Sequence, residues 1–293
     1  MGHAQLLRTS GSSEVQADLA HYWRDGYAIV RGFFSTDEIA VLSEALDELY
    51  EEGAAHGRCF RHGNLFYNVA REHDGGEPHV RMVQWPSYHQ PILNSVRVDA
   101  RFSRLLEPLI GRDLKQIINQ VHWKVPGSLG DFAWHQDSRF RRPATVYRNL
   151  ATAYVQTGLA IDPHTPASGC MRFIPRSHLR GNLDMDQSRL VLGTSMNDEM
   201  LEQVGLSNED ALDILLEPGD LALWSPYLVH GSGTNRSHHK RRLYINGYVR
   251  ARDCDRGEWA FRNGEPVAFG PAPALVHYED LHERSEPHYP EEI

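Results

Sequence analysis

The chain has 293 residues, 41% hydrophobic and 24% charged, a balance typical of a folded globular protein rather than of extended disorder. Its formal net charge of −9 argues against a nucleic-acid partner, and no apolar run is long enough to cross a bilayer. Three scattered cysteines (Cys59, Cys170, Cys254) point to neither a disulfide framework nor a zinc ribbon, and no signal-peptide pattern opens the chain, so a soluble cytoplasmic protein is expected.

Residues 1–12 read as a polar, disordered lead. From Glu14 an amphipathic helix runs to a stop at Gly26, and YAIVRGFF then suits a strand. Ser35 and Glu38 form a capping box, after which Ile39, Leu42, Ala45, Leu46 and Leu49 recur at helical spacing. Residues 53–80 are rich in glycine and histidine without a clear period and read as an irregular lid or binding loop. ILNSVRVDARFSRLLEPLIG reads as one or two short helices closed by Gly111. From about residue 114 short β-type runs follow: LKQIINQVHWKV, TAYVQTGLAI, CMRFIP, DLALWSP and RRLYINGYVR. Turn-separated strands of this kind imply a sandwich or barrel. Without a repeat or linker, one domain is expected over 13–293. It has a helical layer and lid to 113, a β core over 114–270 and a surface tail over 271–293.

The chemistry gathers in three places. In W-H-Q-D, His135 and Asp137 stand two apart, which on a strand puts both side chains on one face. With 17 histidines in the chain, about one such triplet arises by chance, so context must decide. His230 supplies that context, read as delivered at the end of the strand LALWSP. Two imidazoles and one carboxylate make a facial triad that leaves positions open on a non-haem Fe(II). Arg241 opens the strand RRLYINGYVR, where its planar fork suits the distal carboxylate of a chelating organic acid. Ser232 adds a hydroxyl, and a slip in register would exchange Arg241 for Arg242.

These segments, with YWRDGYAIVRGFFSTDEIAVL, SGCMRFIPRSH and EPGDLALWSPYLVHGSGTNRSHHKRR, resemble the phytanoyl-CoA dioxygenase family of 2-oxoglutarate-dependent oxygenases. Arg176 departs from the family's usual glycine in a P-G-S-H turn, which touches no ligand. The resemblance implies a double-stranded β-helix (a jelly-roll, cupin-like core, mainly β with a helical N-terminal layer). It implies Fe(II) with 2-oxoglutarate and O2 as cosubstrates, and release of succinate and CO2 as a small molecule is hydroxylated.

Gln120, His122 and Lys124 share a strand face; turned inward they approach the cosubstrate (Gln120 and His122 as its candidate contacts) or the substrate, and turned outward all three are solvated. Phe66, Trp85, Phe140 and Arg139 are candidate substrate contacts, though aromatics are more often plain core. Arg139, Arg141 and Arg142 form either a solvated face or a greeting for an anionic substrate. His178 is assigned a structural hydrogen bond. Asp137 disfavours a halogenase, which needs that position vacated for halide; desaturation, epoxidation and ring closure share the ligand set and stay open. A non-oxidative, zinc-binding cupin-like protein is the rival of another class, against which Arg241 and Ser232 argue. A monomer or homodimer is expected.

Overall fold

The computed structural model describes residues 19–71, 76–127, 131–185, 191–270 and 286–290. The predicted lead, the first turn of the opening helix and most of the predicted tail lie outside the described residues. Helix α1 (Leu19–Asp25) ends at Gly26, whose φ of 91° suits glycine, and strand β1 (Tyr27–Val30) follows. The strand is shorter than its apolar run. After Val30 the chain turns, and Gly32 N–H donates to Asp220 Oδ1 at 2.8 Å.

Helix α2 (Thr36–Ala55) opens on the predicted capping box: Glu38 N–H donates to Ser35 Oγ, and Ser35 N–H donates to Glu38 Oε2 at 2.8 Å. It buries the five predicted apolar positions. Residues 53–80 differ from the expectation of an irregular segment. They include the end of α2, then β2 (Phe60–His62), β3 (Leu65–Ala70) and the start of β4 (His79–Gln84), a meander in which β3 buries alternate residues. The glycine that obscured the pattern serves the turn, with Gly63 at φ 56°. Helices α3 (Pro91–Arg97) and α4 (Ala100–Ile110) follow, the latter closed by Gly111 as expected.

The remaining strands are β5 (Leu114–Lys124), β6 (Phe132–His135), β7 (Tyr154–Ala160), β8 (Met171–Phe173), β9 (Leu212–Asp213), β10 (Leu221–Trp224), β11 (His230–Ser232), β12 (Arg241–Arg250), β13 (Glu258–Arg262) and β14 (Glu265–Pro266). Among the described residues a larger sheet runs in the order β1-β10-β7-β12-β5-β4-β3-β2, with β13 and β14 attached, and a smaller one runs β6-β11-β8-β9. Both are antiparallel, and together they make a double-stranded β-helix.

Alternation along β12 divides the larger sheet into two faces. Tyr244 and Tyr248 join the apolar cluster that α2, α3 and α4 cover, whereas Leu243, Ile245 and Val249 join the cluster between the sheets, with Phe173 and Trp224. Directly paired residues share a face. The inner face therefore carries two rows across the meander, Phe66–Gln84–Gln120–Ile245 and Asn68–Met82–His122–Leu243.

Candidate functional site

His135 ends β6 and faces His230 directly across the β6–β11 pair. Asp137 is not on the strand, as the i, i+2 argument assumed, but is the first residue of the 3-10 turn Asp137–Phe140. His230 likewise does not end the LALW strand. That strand belongs to the larger sheet, and His230 opens β11 in the smaller one after an intervening turn. All three side chains are nonetheless buried together, with ligand atoms within 4.8 Å of one another. His135 Nε2 lies 3.9 Å from Asp137 Oδ1, and His230 Nε2 lies 3.9 Å from Oδ2.

The surrounding bonds orient these atoms. His135 Nδ1–H donates to the Ala133 carbonyl at 2.7 Å and His230 Nδ1–H to that of Leu228 at 2.9 Å, leaving both Nε2 lone pairs for an ion. The Trp224 indole N–H donates to Asp137 Oδ2 at 2.8 Å. Burial opposes ionisation of Asp137, but His230, His135, Arg141 and this hydrogen bond outweigh it and hold the carboxyl below its usual range. Burial, with His230, pushes His135 down to about 3, so its imidazole is neutral. Two imidazole nitrogens and a carboxylate oxygen converging on one point fit a divalent metal of the Fe(II) type.

A second polar group gathers on the same interior side, two residues beyond His230. Ser232 shares the His230 face of β11, and Phe132 stacks on His122 with centroids 4.9 Å apart. Lys124 is buried and donates to the carbonyls of Ser232, at 3.0 Å, and Gly233. Arg241, paired with Lys124 in register, is buried and donates to the Gly169 carbonyl at 2.6 Å. Gly169 has φ 68°, and a side chain there would collide with the Gly233 carbonyl. Its glycine is what lets these loops close.

Arg241 Nε, His122 Nε2 and His164 Nδ1 are buried without partners. Among the described residues neither Arg241 nor Lys124 pairs with a carboxylate; Asp162 and Asp131 act on them only at a distance. Burial lowers Arg241 to about 10, lowers His122 to about 3 with help from Arg241, and holds His164 well below its ordinary value. A buried cationic pocket short of acceptors fits a carboxylate-bearing ligand.

Arg242 points the other way, towards α2. It bonds Asp162 at 2.7 Å, Asp47 at 3.0 Å and the Ser43 hydroxyl at 2.8 Å. His122 and Lys124 turn inward; Gln120 is half-buried on the same face. Phe140 is exposed and meets the His135 ring edge-on at 5.8 Å, with the Arg139 guanidinium 5.3 Å from its centroid. Arg139 also lines a small opening beside His135 with Gln136, Asn182, Leu183 and Met185. Phe66 lies in the inner row of Gln120, under the Arg61 guanidinium. Trp85 is core, packed with Tyr88 and Phe269. His178 Nε2–H donates to the Trp23 carbonyl at 3.2 Å, the structural role expected. Trp224, Tyr154, Gln156 and His164 escaped sequence reasoning. The Trp224–Asp137 bond spans 87 residues and leaves no local signal.

The phytanoyl-CoA dioxygenase profile matches residues 22–243, most of the chain. The chain belongs to the phytanoyl-CoA dioxygenase family. It is 24% identical over 235 residues to the dioxygenase lolE1 of Epichloe uncinata, covering 79% of this chain and 81% of that one. Among solved structures it is similar to EctD from S. alaskensis with 2-oxoglutarate and 5-hydroxyectoine (TM-score 0.60, 21% identity, 89% of each chain). It is also similar to the epimerase SnoN in complex with Fe3+, alpha ketoglutarate and nogalamycin RO (TM-score 0.58, 21% identity, 87% of this chain and 96% of that one). No helix among the described residues is long and apolar enough to cross a membrane.

Proposed function

We propose that the chain is an Fe(II)- and 2-oxoglutarate-dependent dioxygenase that hydroxylates an unactivated C–H bond of a small molecule. The observation that carries this reading is the pairing of the His135–Asp137–His230 cluster with the buried Arg241, which among the described residues forms no ion pair with a carboxylate. A zinc hydrolase has use for the first but not for the second. In this reading His135, Asp137 and His230 hold the iron, and Arg241 binds the distal carboxylate of 2-oxoglutarate, with Lys124, His122 and the Ser232 hydroxyl beside it.

When bound, Fe(II) with 2-oxoglutarate and O2 supplies the oxidising power for C–H hydroxylation, releasing succinate and CO2. The chain's own part is placement. The two Nδ1–H donations fix the imidazole tautomers, and Trp224 fixes the Asp137 carboxylate before any ion arrives. The apolar cluster of Phe173, Leu228, Leu243 and Ile245 keeps the surroundings dry. Gln120 and Phe66 on the inner face, with Phe140 and Arg139 at the opening, are proposed to meet the substrate.

The two structures above, one holding a hydroxylated compound and the other an epimerase, mark the outcomes to separate. Under anaerobic conditions, Fe(II) plus 2-oxoglutarate should produce a weak visible charge-transfer band, and its absence would sink the proposal. With a turned-over substrate, oxygen from 18O2 in the product identifies hydroxylation; its absence with succinate still formed points to desaturation, epimerisation or ring closure.

A further inference from the structure

Arg141 leaves the turn that carries Asp137 and folds back into the interior, where it is 3% exposed. One terminal nitrogen donates to Tyr154 Oη at 2.9 Å, and the guanidinium lies 4.9 Å from the centre of that ring. Its Nε is buried without a partner. Tyr154 Oη in turn donates to Gln156 Oε1. Gln156 pairs across the sheet with Trp224, the residue that holds Asp137, and on its other side with Gly247. A Cβ at Gly247 would run into the Tyr154 hydroxyl and stand 2.7 Å from Gln156 Oε1. Only glycine there admits the polar pair.

Arg141 is therefore a buried, held and incompletely bonded cation beside the ligand cluster. Among the described residues no carboxylate forms an ion pair with it, and the acid nearest in influence is Asp137. An ion bound by Asp137 takes up that charge. A desolvated guanidinium left so is costly unless an anion completes it. Arg241 does not share this anion: the stretch of β12 from Arg241 to Gly247 spans about 20 Å. The two arginines serve different ligands.

We propose that Arg141 anchors an anionic oxyacid group of the substrate, a carboxylate or a phosphoryl group, with Tyr154 and Gln156 as positioning residues that fix its fork. This rests on the reading of His135, Asp137 and His230 as the catalytic metal site. It makes an anionic head a condition of binding, since a neutral isostere leaves the buried guanidinium unpaired.

The test is anaerobic titration calorimetry of the Fe(II)- and 2-oxoglutarate-loaded protein with benzoate and phenylphosphonate against neutral benzamide. The two anions distinguish carboxylate from phosphoryl recognition. The tighter anion should exceed benzamide by ~10-fold or more, the scale of a charge-assisted hydrogen bond. Arg141→Gln should erase that preference while leaving the charge-transfer band intact. Tyr154→Phe should weaken the anion by about 3-fold with the charge retained. Arg141→Lys keeps the charge without the fork and should fall between, which keeps the proposal open to refutation if Arg141→Gln does not fold. Equal binding of anions and benzamide, or an unaltered preference in Arg141→Gln, overturns the proposal. So does loss of the band in that variant, which assigns Arg141 to the iron site instead. If wild type shows no band, the reading of the metal site has failed separately. The same titration of metal-free protein then decides: a preference lost in Arg141→Gln but kept in Arg241→Gln supports the anchor, and any other pattern removes it.

Discussion

Two polar regions share the interior between the sheets and are finished to different degrees. At the His135–Asp137–His230 end, each imidazole Nδ1 and one Asp137 oxygen already have partners within the chain. At the Arg241 end, Arg241 Nε, His122 Nε2 and His164 Nδ1 are buried with none. The first region holds its shape through its own hydrogen bonds. The second carries a desolvation cost at Arg241 that an acceptor on a bound ligand relieves. Binding at the first end thus draws on preorganisation, while binding at the second should appear as a gain in stability.

The largest expected effect breaks the first region. His135→Ala or Asp137→Ala should abolish Fe(II) binding, read by calorimetry, and with it succinate formation; normal turnover in either variant would falsify the ligand assignment. Next, 2-oxoglutarate added with metal should raise the Tm of wild type, with a stabilisation of about 2.7 kcal/mol at 100 times Kd. Arg241→Met should lose that gain and raise KM for 2-oxoglutarate by ~100-fold, the worth of about two charge-assisted hydrogen bonds. An unchanged KM would mean that Arg241 is not the clamp.

Trp224→Phe keeps an aromatic ring and removes the bond to Asp137. Metal affinity should fall by about 10–100-fold, as for other partners of ligating groups. A wild-type affinity would show that Asp137 needs no such support. The smallest effect is on pH dependence. His122 and His164 are buried neutral, with values below the usual 6.5, so below that pH the unfolded chain binds more protons than the folded one. Ligand-free stability should therefore fall as pH drops from about 6.5 towards 3, at up to about 1.4 kcal/mol per pH unit for each imidazole. His122→Asn should flatten the slope by one such increment, measured as the denaturation midpoint against pH.

Much of this was legible because it is local. The Ser35–Glu38 capping box, the buried stripe of α2 and the alternation of β12 are each written within a few residues. The three candidate ligands were found through their flanking segments, even though two of the strand assignments used to place them were off by a turn. The meander of β2, β3 and β4 was hidden because short strands joined through Gly and His carry too few apolar repeats to register. Arg176, in the family's usual glycine position, holds φ 67°, so the turn geometry survives the substitution.

By itself the sequence determined the residue types of the site, the order in which the chain presents them and the family to which it belongs. Tertiary structure alone decided which of two adjacent arginines faces inward: β12 alternates, and the carboxylates that claim Arg242 arrive from Asp162 and from α2. It alone decided that Trp224 holds Asp137, and that Arg141 lies beside the site rather than in solvent. Such contacts join positions far apart in the chain, and no local pattern specifies which partner a buried polar group will meet.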